Sequence, residues 1–221
     1  MITGLARGVR LLAPGEGTRP LSDRTKEALF AALESQLGDA WPVPVLDLFA
    51  GSGAAGIEAL SRGAPTVVFV EHSQGAAHVI AENLRRVRLP GGHVVRRNAL
   101  GFLDEGATAA ATGGLEGVPF GAAIVDPPYA DTRSMSEALL HLGDPSRGWL
   151  RDDAVVVAKH FWRDAPPERA GRLLRDRVRR IGETALSFYR VEVAITASGD
   201  PEAASVSGDG DAPGREEPTR P

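Results

Sequence analysis

The sequence predicts an α/β protein, with a mostly parallel sheet and helices on both of its faces. Three observations carry this. Residues 43–49, 66–70, 122–125 and 154–158 are short, almost continuously apolar runs, as strands covered on both faces require. Helical segments alternate with them, the βαβ order that parallel strands need. The 221 residues suit one domain with appendages, and 43% hydrophobic with 24% charged residues is ordinary for a soluble globular chain.

Each element has its own signal. Residues 1–21 lack a helical period; Ile2, Leu5, Val9, Leu11 and Leu12 sit among Arg7, Gly8 and Arg10, which suggests a short β-hairpin or arm. Ser22 can cap a helix running to Leu37, with Ala28, Leu29, Ala32, Leu33 and Leu37 on its apolar face. Residues 43–49 form a strand entering a Gly-rich turn, and a helix runs from Gly56 to Arg62. Residues 66–70 form a buried strand closed by Glu71, 73–87 a helix and 93–97 a weaker strand. Residues 106–119 read as a Gly- and Ala-rich loop. Residues 122–125 form a strand followed by Pro127-Pro128; 135–142 are helical and 154–158 a strand. Residues 175–181 and 186–195 read as a closing strand pair, because Ser187, Tyr189 and Val191 alternate with Phe188, Arg190 and Glu192. No internal repeat is visible.

Composition excludes several chemistries. With no Cys there are no disulfides, zinc-thiolate sites or thiol nucleophiles. The five His show no ligand spacing, so no metal is expected. No apolar run approaches the ~20 residues of a membrane span, and no apolar h-region follows Arg7 and Arg10. A soluble, cytoplasmic monomer is expected. Residues 198–221 hold six acids and two Arg, which accounts for the whole net charge of -4. Their Gly, Pro, Ser and acidic composition cannot bury enough surface to offset ordering, so a disordered acidic tail is expected there. Only Lys26 and Lys159 are Lys among 25 basic residues, an Arg bias that reflects a GC-rich genome rather than function. The expected organisation is an arm (1–21), a domain (22–197) and the tail (198–221).

Two motifs carry chemistry. Gly51, Gly53 and Gly56 spell GxGxxG after the first buried strand, and Glu71 lies 20 residues after Gly51 at the end of the next. Such glycines bring backbone N–H groups to a ligand at a helix N-terminus, and the acid accepts from ribose hydroxyls. The loop serves NAD or S-adenosylmethionine; without a ligand it is a tight strand-to-helix turn. Asp47, just before the glycines, suits the amino acid end of S-adenosylmethionine and has no use in an NAD enzyme.

The second motif is Asp126-Pro127-Pro128-Tyr129, where open α/β sheets bind ligands. The prolines stiffen the turn and remove two donors, leaving carbonyls and Asp126 as acceptors beside an aromatic face. A nucleobase amino group needs acceptors on both N–H bonds to aim its delocalised lone pair at a methyl group, and Tyr129 can stack on the base. A plain proline turn is the alternative.

These residues resemble a known family. Asp126-Pro127-Pro128-Tyr129 is similar to the [Asp/Asn]-Pro-Pro-aromatic motif of amino-methyltransferases. The RsmD family, bacterial methyltransferases of a guanine N2 in 16S ribosomal RNA, resembles this chain over about residues 2–195. Its likeness lies in Gly4 with Arg7-Gly8, Thr18-Arg19-Pro20, Asp23-Arg24, Glu27 to Phe30, Asp47 to Gly53, Glu58 to Ala64, Glu71, and Gly182 to Leu186. Leu21 and the Ala54-Ala55 pair depart from the family's usual Thr and larger apolar residue. The resemblance implies a Rossmann-like class I methyltransferase with a seven-stranded sheet and an N-terminal β-hairpin arm. It implies S-adenosylmethionine held by Asp47, Phe49, Gly51, Ser52, Gly53, Glu71, Asn98 and Ala99, and catalysis at Asp126, Pro127, Pro128 and Tyr129. It further implies Arg7, Arg10, Arg19 and Arg24 as contacts to 16S rRNA or the small ribosomal subunit.

Other readings stay open on the residues alone. An adenine-N6 DNA methyltransferase shares the corner but needs a target-recognition domain that 221 residues do not supply. A protein glutamine methyltransferase would carry Asn at position 126. An RNA-binding assembly factor without catalysis has no need of intact Asp47, Glu71 and Asp126. The basic stretch of Arg163, Arg169, Arg172, Arg175, Arg177, Arg179 and Arg180 reads as a solvated face, and Trp41, Trp149 and Trp162 as partial core.

Overall fold

The computed structural model describes residues 3–13 and 21–193. Arg19 and the expected tail at 198–221 lie outside the described residues.

Helix α1 (Asp23–Leu37) begins where the Ser22 hydroxyl accepts from the Thr25 N–H at 3.2 Å. Strands β1 (Val45–Leu48), β2 (Val67–Glu71), β3 (Gly92–Arg96), β4 (Phe120–Val125) and β5 (Leu150–Phe161) are mutually parallel. The crossovers between them are helical: α2 (Ala54–Ser61), α3 (Gln74–Val87), α4 (Ala99–Asp104) with α5 (Ala107–Thr112), and α6 (Thr132–Gly143). Strands β6 (Arg169–Ala170), β7 (Leu173–Ile181) and β8 (Thr184–Val191) close the sheet antiparallel, in the order β3-β2-β1-β4-β5-β8-β7-β6.

Two apolar layers sandwich the sheet. Leu29, Phe30, Leu33, Ile57, Phe69 and Phe188 belong to one; Leu48, Phe102, Leu139, Trp149 and Tyr189 belong to the other. The chain runs from β1 to β2 and β3 on one side, then returns to place β4 on the other side of β1. The strand order therefore reverses between β1 and β4, which opens a crevice beyond their carboxyl ends.

Three expectations are corrected. Among the described residues the sheet has eight strands, not seven; the extra strand, β6, is two residues long and returns through Gly171 at φ +57°, too short to leave a periodic signal. The 106–119 segment is not all loop, since α5 forms there from an alanine-rich run with high helix propensity. Residues 3–13 hold no β-hairpin strand. They turn at Gly4 and Gly8 and spend their backbone groups on helices instead: Leu5 N–H donates to the Ser61 carbonyl at 2.9 Å, Ala6 N–H to the Ser61 hydroxyl at 2.9 Å, and Thr3 N–H to Glu58 at 3.1 Å. Gly4 is required there, because a Cβ on it would lie 1.8 Å from the Ser61 carbonyl oxygen.

Candidate active site

The glycine loop lies at the reversal of strand order. Phe49 takes φ 59°, rare for a bulky residue, which bends the chain sharply out of β1. Gly53 caps α2 at φ 74°, and Gly56 lets α2 settle on β2, since a Cβ there would meet the Phe69 ring at 2.3 Å. Glu71 closes this loop onto the next strand. Its carboxylate accepts from the Gly51 N–H at 2.9 Å and the Ser73 N–H at 2.8 Å. Asp47 is buried, and one of its oxygens accepts from the Gly56 N–H at 2.9 Å. Burial pushes the Asp47 carboxyl up to about 8; the Gly56 N–H opposes this, while the negative charges of Asp126 and Glu71 add to it.

Three carboxylates thus converge around one loop. A ligand carrying positive charge favours the ionised forms of such a set, and a dinucleotide pyrophosphate opposes them. The sulfonium and ammonium groups of S-adenosylmethionine match it, and Glu71 stands at the end of β2, buried beside the loop. Asn98 caps α4, its carbonyl oxygen accepting from the Leu100 and Gly101 N–H groups at 3.0 and 3.1 Å. Ala99 is buried beside it, and Ser52 is buried within the loop.

Asp126 follows β4 next to the loop, its N–H directed at the Leu48 carbonyl at 3.4 Å. Its carboxylate is ion-paired with the Lys159 ammonium, at side-chain exposures of 26% and 14%. Burial pushes the Asp126 carboxyl up, and Lys159 pulls it back down. The Lys159 nitrogen also lies 4.9 Å from the centre of the Tyr129 ring. The Tyr129 hydroxyl shares a hydrogen bond of 2.6 Å with the Thr184 hydroxyl, so the ring is held at its edge and on one face. Pro127, Pro128, Tyr129, Met135, Lys159 and Pro166 are among the residues around a cavity of about 270 Å³ beside this corner.

The structure brings Asp47, Gly51, Gly53, Glu71 and Asp126 together. Arg7, Arg10 and Arg24 are exposed elsewhere and have no carboxylate partner among the described residues. Sequence reasoning missed Lys159, although a Lys retained in so Arg-biased a chain was a signal. It also missed Asn83, a fully buried amide on α3 that donates to the Ser52 carbonyl at 3.0 Å.

No described helix is long and apolar enough to cross a membrane. Among solved structures, the chain resembles yhhF from Escherichia coli at 31% identity and TM-score 0.70, covering 87% of this chain and 97% of that one. A Thermus hypothetical protein, TTHA0928, matches at 33% identity and TM-score 0.68, covering 85% and 96%. SMU.776, solved as a complex with SAH, shares the class I methyltransferase fold at 12% identity and TM-score 0.53, covering 71% and 47%. Ribosomal RNA small subunit methyltransferase D of Escherichia coli strain K12 is 31% identical over 201 residues, 90% of this chain and 93% of that protein. Its Haemophilus influenzae namesake is 34% identical over 163 residues, 72% and 77% of the respective chains. The family model described as Conserved hypothetical protein 95 matches residues 1–190, and the chain belongs to that family, the RsmD family, whose relatives here are named as ribosomal RNA small subunit methyltransferases.

Proposed function

We propose that this protein methylates the exocyclic N2 of a guanine in 16S ribosomal RNA, with S-adenosylmethionine as methyl donor. The observation that carries the reading is the acceptor corner at Asp126, adjacent to a glycine loop ringed by carboxylates. When bound, S-adenosylmethionine supplies a methyl group on a positively charged sulfur, which keeps the electron pair of the broken C–S bond as the amine nitrogen forms the new N–C bond.

The chain's own part is positioning and desolvation. Asp126 and a proline carbonyl accept from the two N–H bonds of the amine, which aims its lone pair at the methyl group. Tyr129 stacks on the flipped base, held in place by Thr184 and Lys159. Lys159 pulls the Asp126 carboxyl down against the upward push of burial, which favours the form that accepts rather than donates. The amine proton leaves after transfer, to Asp126 or to water. Glu71 and the glycine loop hold the donor, and Arg7, Arg10, Arg19 and Arg24 bind RNA phosphates.

Single-turnover methylation at saturating RNA and cofactor tests the reading, with the product nucleoside identified by mass. Wild type yields N2-methylguanosine, and Asp126→Ala lowers the rate about a hundredfold while RNA binding changes little. Near-normal turnover in Asp126→Ala, or methyl on another atom, overturns it.

A further inference from the structure

A line of aromatic rings leads away from the methyl-transfer corner. Tyr129 lies 6.4 Å from Phe161, and Phe161 lies 6.3 Å from Trp162, ring centre to ring centre. Trp162 ends the line, and two guanidinium groups lie over its ring, Arg163 at 4.8 Å and Arg180 at 3.6 Å. Arg180 is pinned further by its Nε, which donates to the Gly182 carbonyl at 2.9 Å. Its two Nη nitrogens have no hydrogen bond among the described residues.

The arginines of this sheet edge divide into two groups. Arg169 pairs with Glu192, Arg172 with Asp152, Arg175 with Glu168 and Arg190 with Asp176. These pairs lie toward the start of β7 and the end of β8. Arg163, Arg177, Arg179 and Arg180 are exposed and have no carboxylate partner among the described residues. Arg163, Arg179 and Arg180 lie at or near the other end, where β5 runs out and β7 turns into β8, the end that carries Asp126 and Tyr129, and Arg177 lies at the middle of β7, over the Phe188 ring at 5.2 Å. Residues 161–183 hold seven Arg against four acids in a chain whose net charge is -4.

A merely solvated face would not leave the arginines toward one end unpaired and place two of them over a half-buried tryptophan. Guanidinium groups held over an aromatic ring are pre-ordered, so little side-chain freedom is lost when they grip an anion. The outer faces of such planes also stack on nucleobases. Phosphate-seeking charge combined with stacking surfaces matches single-stranded nucleic acid better than an acidic protein segment, which offers charge alone.

We propose that Trp162, Arg163 and Arg180 form a platform for the single-stranded RNA that flanks the target guanine, with Arg177 and Arg179 taking phosphates as the strand crosses the sheet edge. This rests on the guanine-N2 reading above and adds a second RNA contact, separate from the amino-terminal arginines.

The test compares the full chain with Arg163→Gln/Arg180→Gln and with Trp162→Phe, using a single-stranded RNA that contains the target guanine and a salt series. The double variant binds this RNA about tenfold more weakly, with a shallower salt slope, by roughly one to 1.5. Its affinity for S-adenosylhomocysteine and its melting temperature stay unchanged. RNA quenches tryptophan emission in the parent, much less in Trp162→Phe, and polyglutamate does not. Equal RNA affinity and salt slope in parent and double variant overturn the proposal, and so does quenching by polyglutamate as strong as by RNA. If the parent methylates guanine N2 while these variants bind RNA normally, the platform alone fails. If the platform results hold but methyl goes to another atom, the guanine reading alone fails.

Discussion

Asn83 on α3 pairs with both backbone groups of Leu12, 71 residues earlier. Its side-chain oxygen accepts from the Leu12 N–H at 2.7 Å, and its amide donates to the Leu12 carbonyl at 3.1 Å. The same amide donates to the Ser52 carbonyl in the glycine loop at 3.0 Å. One fully buried side chain therefore ties the amino-terminal segment to the glycine loop. Asn83→Ala leaves three backbone groups short of a partner, at a cost of roughly 2–4 kcal/mol. Hydrogen exchange should rise at Leu12 and around the glycine loop, and S-adenosylhomocysteine affinity should fall with it. Protection unchanged at both places would show that the link carries no energy.

Glu71 holds together the loop proposed to bind the methyl donor. The two N–H groups it satisfies, Gly51 and Ser73, belong to the turns after β1 and β2. Glu71→Gln keeps the size but offers one acceptor oxygen and turns an amide donor toward the other N–H. Calorimetry should show S-adenosylhomocysteine binding weakened by about 1.5–3 kcal/mol in Glu71→Gln and Glu71→Ala alike. A Gln variant that binds normally would mean that the carboxylate charge is not used.

The sequence exposed what depends on local pattern and hid what depends on distant partners. Strands β1, β2, β4 and the 154–158 part of β5 were readable because both of their faces are covered, so their apolar runs are nearly continuous, with Asp47 the exception in β1. Ser22 and Ser73 were readable as helix starts because a cap acts within three residues. The path of residues 3–13 was not readable, because it follows Glu58, Ser61 and Asn83, all more than 50 positions away. Glu71 and Asp126 could be picked out by motif, but their carboxylates' partners could not. Lys159 meets Asp126 only because β4 and β5 are neighbours in the sheet, 33 residues apart in sequence.

Lys159→Met should leave the corner folded but mistuned. Removing a partly buried ammonium strands the Asp126 carboxylate, at about 1–3 kcal/mol of stability. Burial already raises the Asp126 carboxyl and Lys159 is the group that lowers it, so its loss raises the carboxyl further. Less of the ionised acceptor is then present at a given pH. The acid limb of the single-turnover rate should move to higher pH, with part of the activity recovered in alkaline buffer. A rate profile that drops without moving along the pH axis would assign Lys159 to ring packing on Tyr129 instead.

Asp47 should make the protein less stable as pH rises, opposite to a salt-bridged carboxylate. Its carboxyl is raised from 3.8 to about 8 in the folded chain, first by burial and then by Asp126 and Glu71, against the Gly56 N–H. Between those values the folded state holds a proton that the unfolded chain has released. Stability is therefore highest below about pH 4 as far as this group is concerned, and is lost as pH climbs toward 8. Asp47→Asn keeps an acceptor for Gly56 and cannot ionise, so the stability difference between Asn variant and parent should widen with pH. The slope for one proton is at most ~1.4 kcal/mol per pH unit. A positively charged ligand reverses the balance, because it favours the ionised carboxylate. S-adenosylmethionine binding near neutral pH should then release up to one proton from the parent, seen as a buffer-dependent heat in calorimetry, and less from Asp47→Asn. Denaturation curves for the two proteins that stay parallel from pH 5 to pH 8 would show that Asp47 is already ionised in the folded chain.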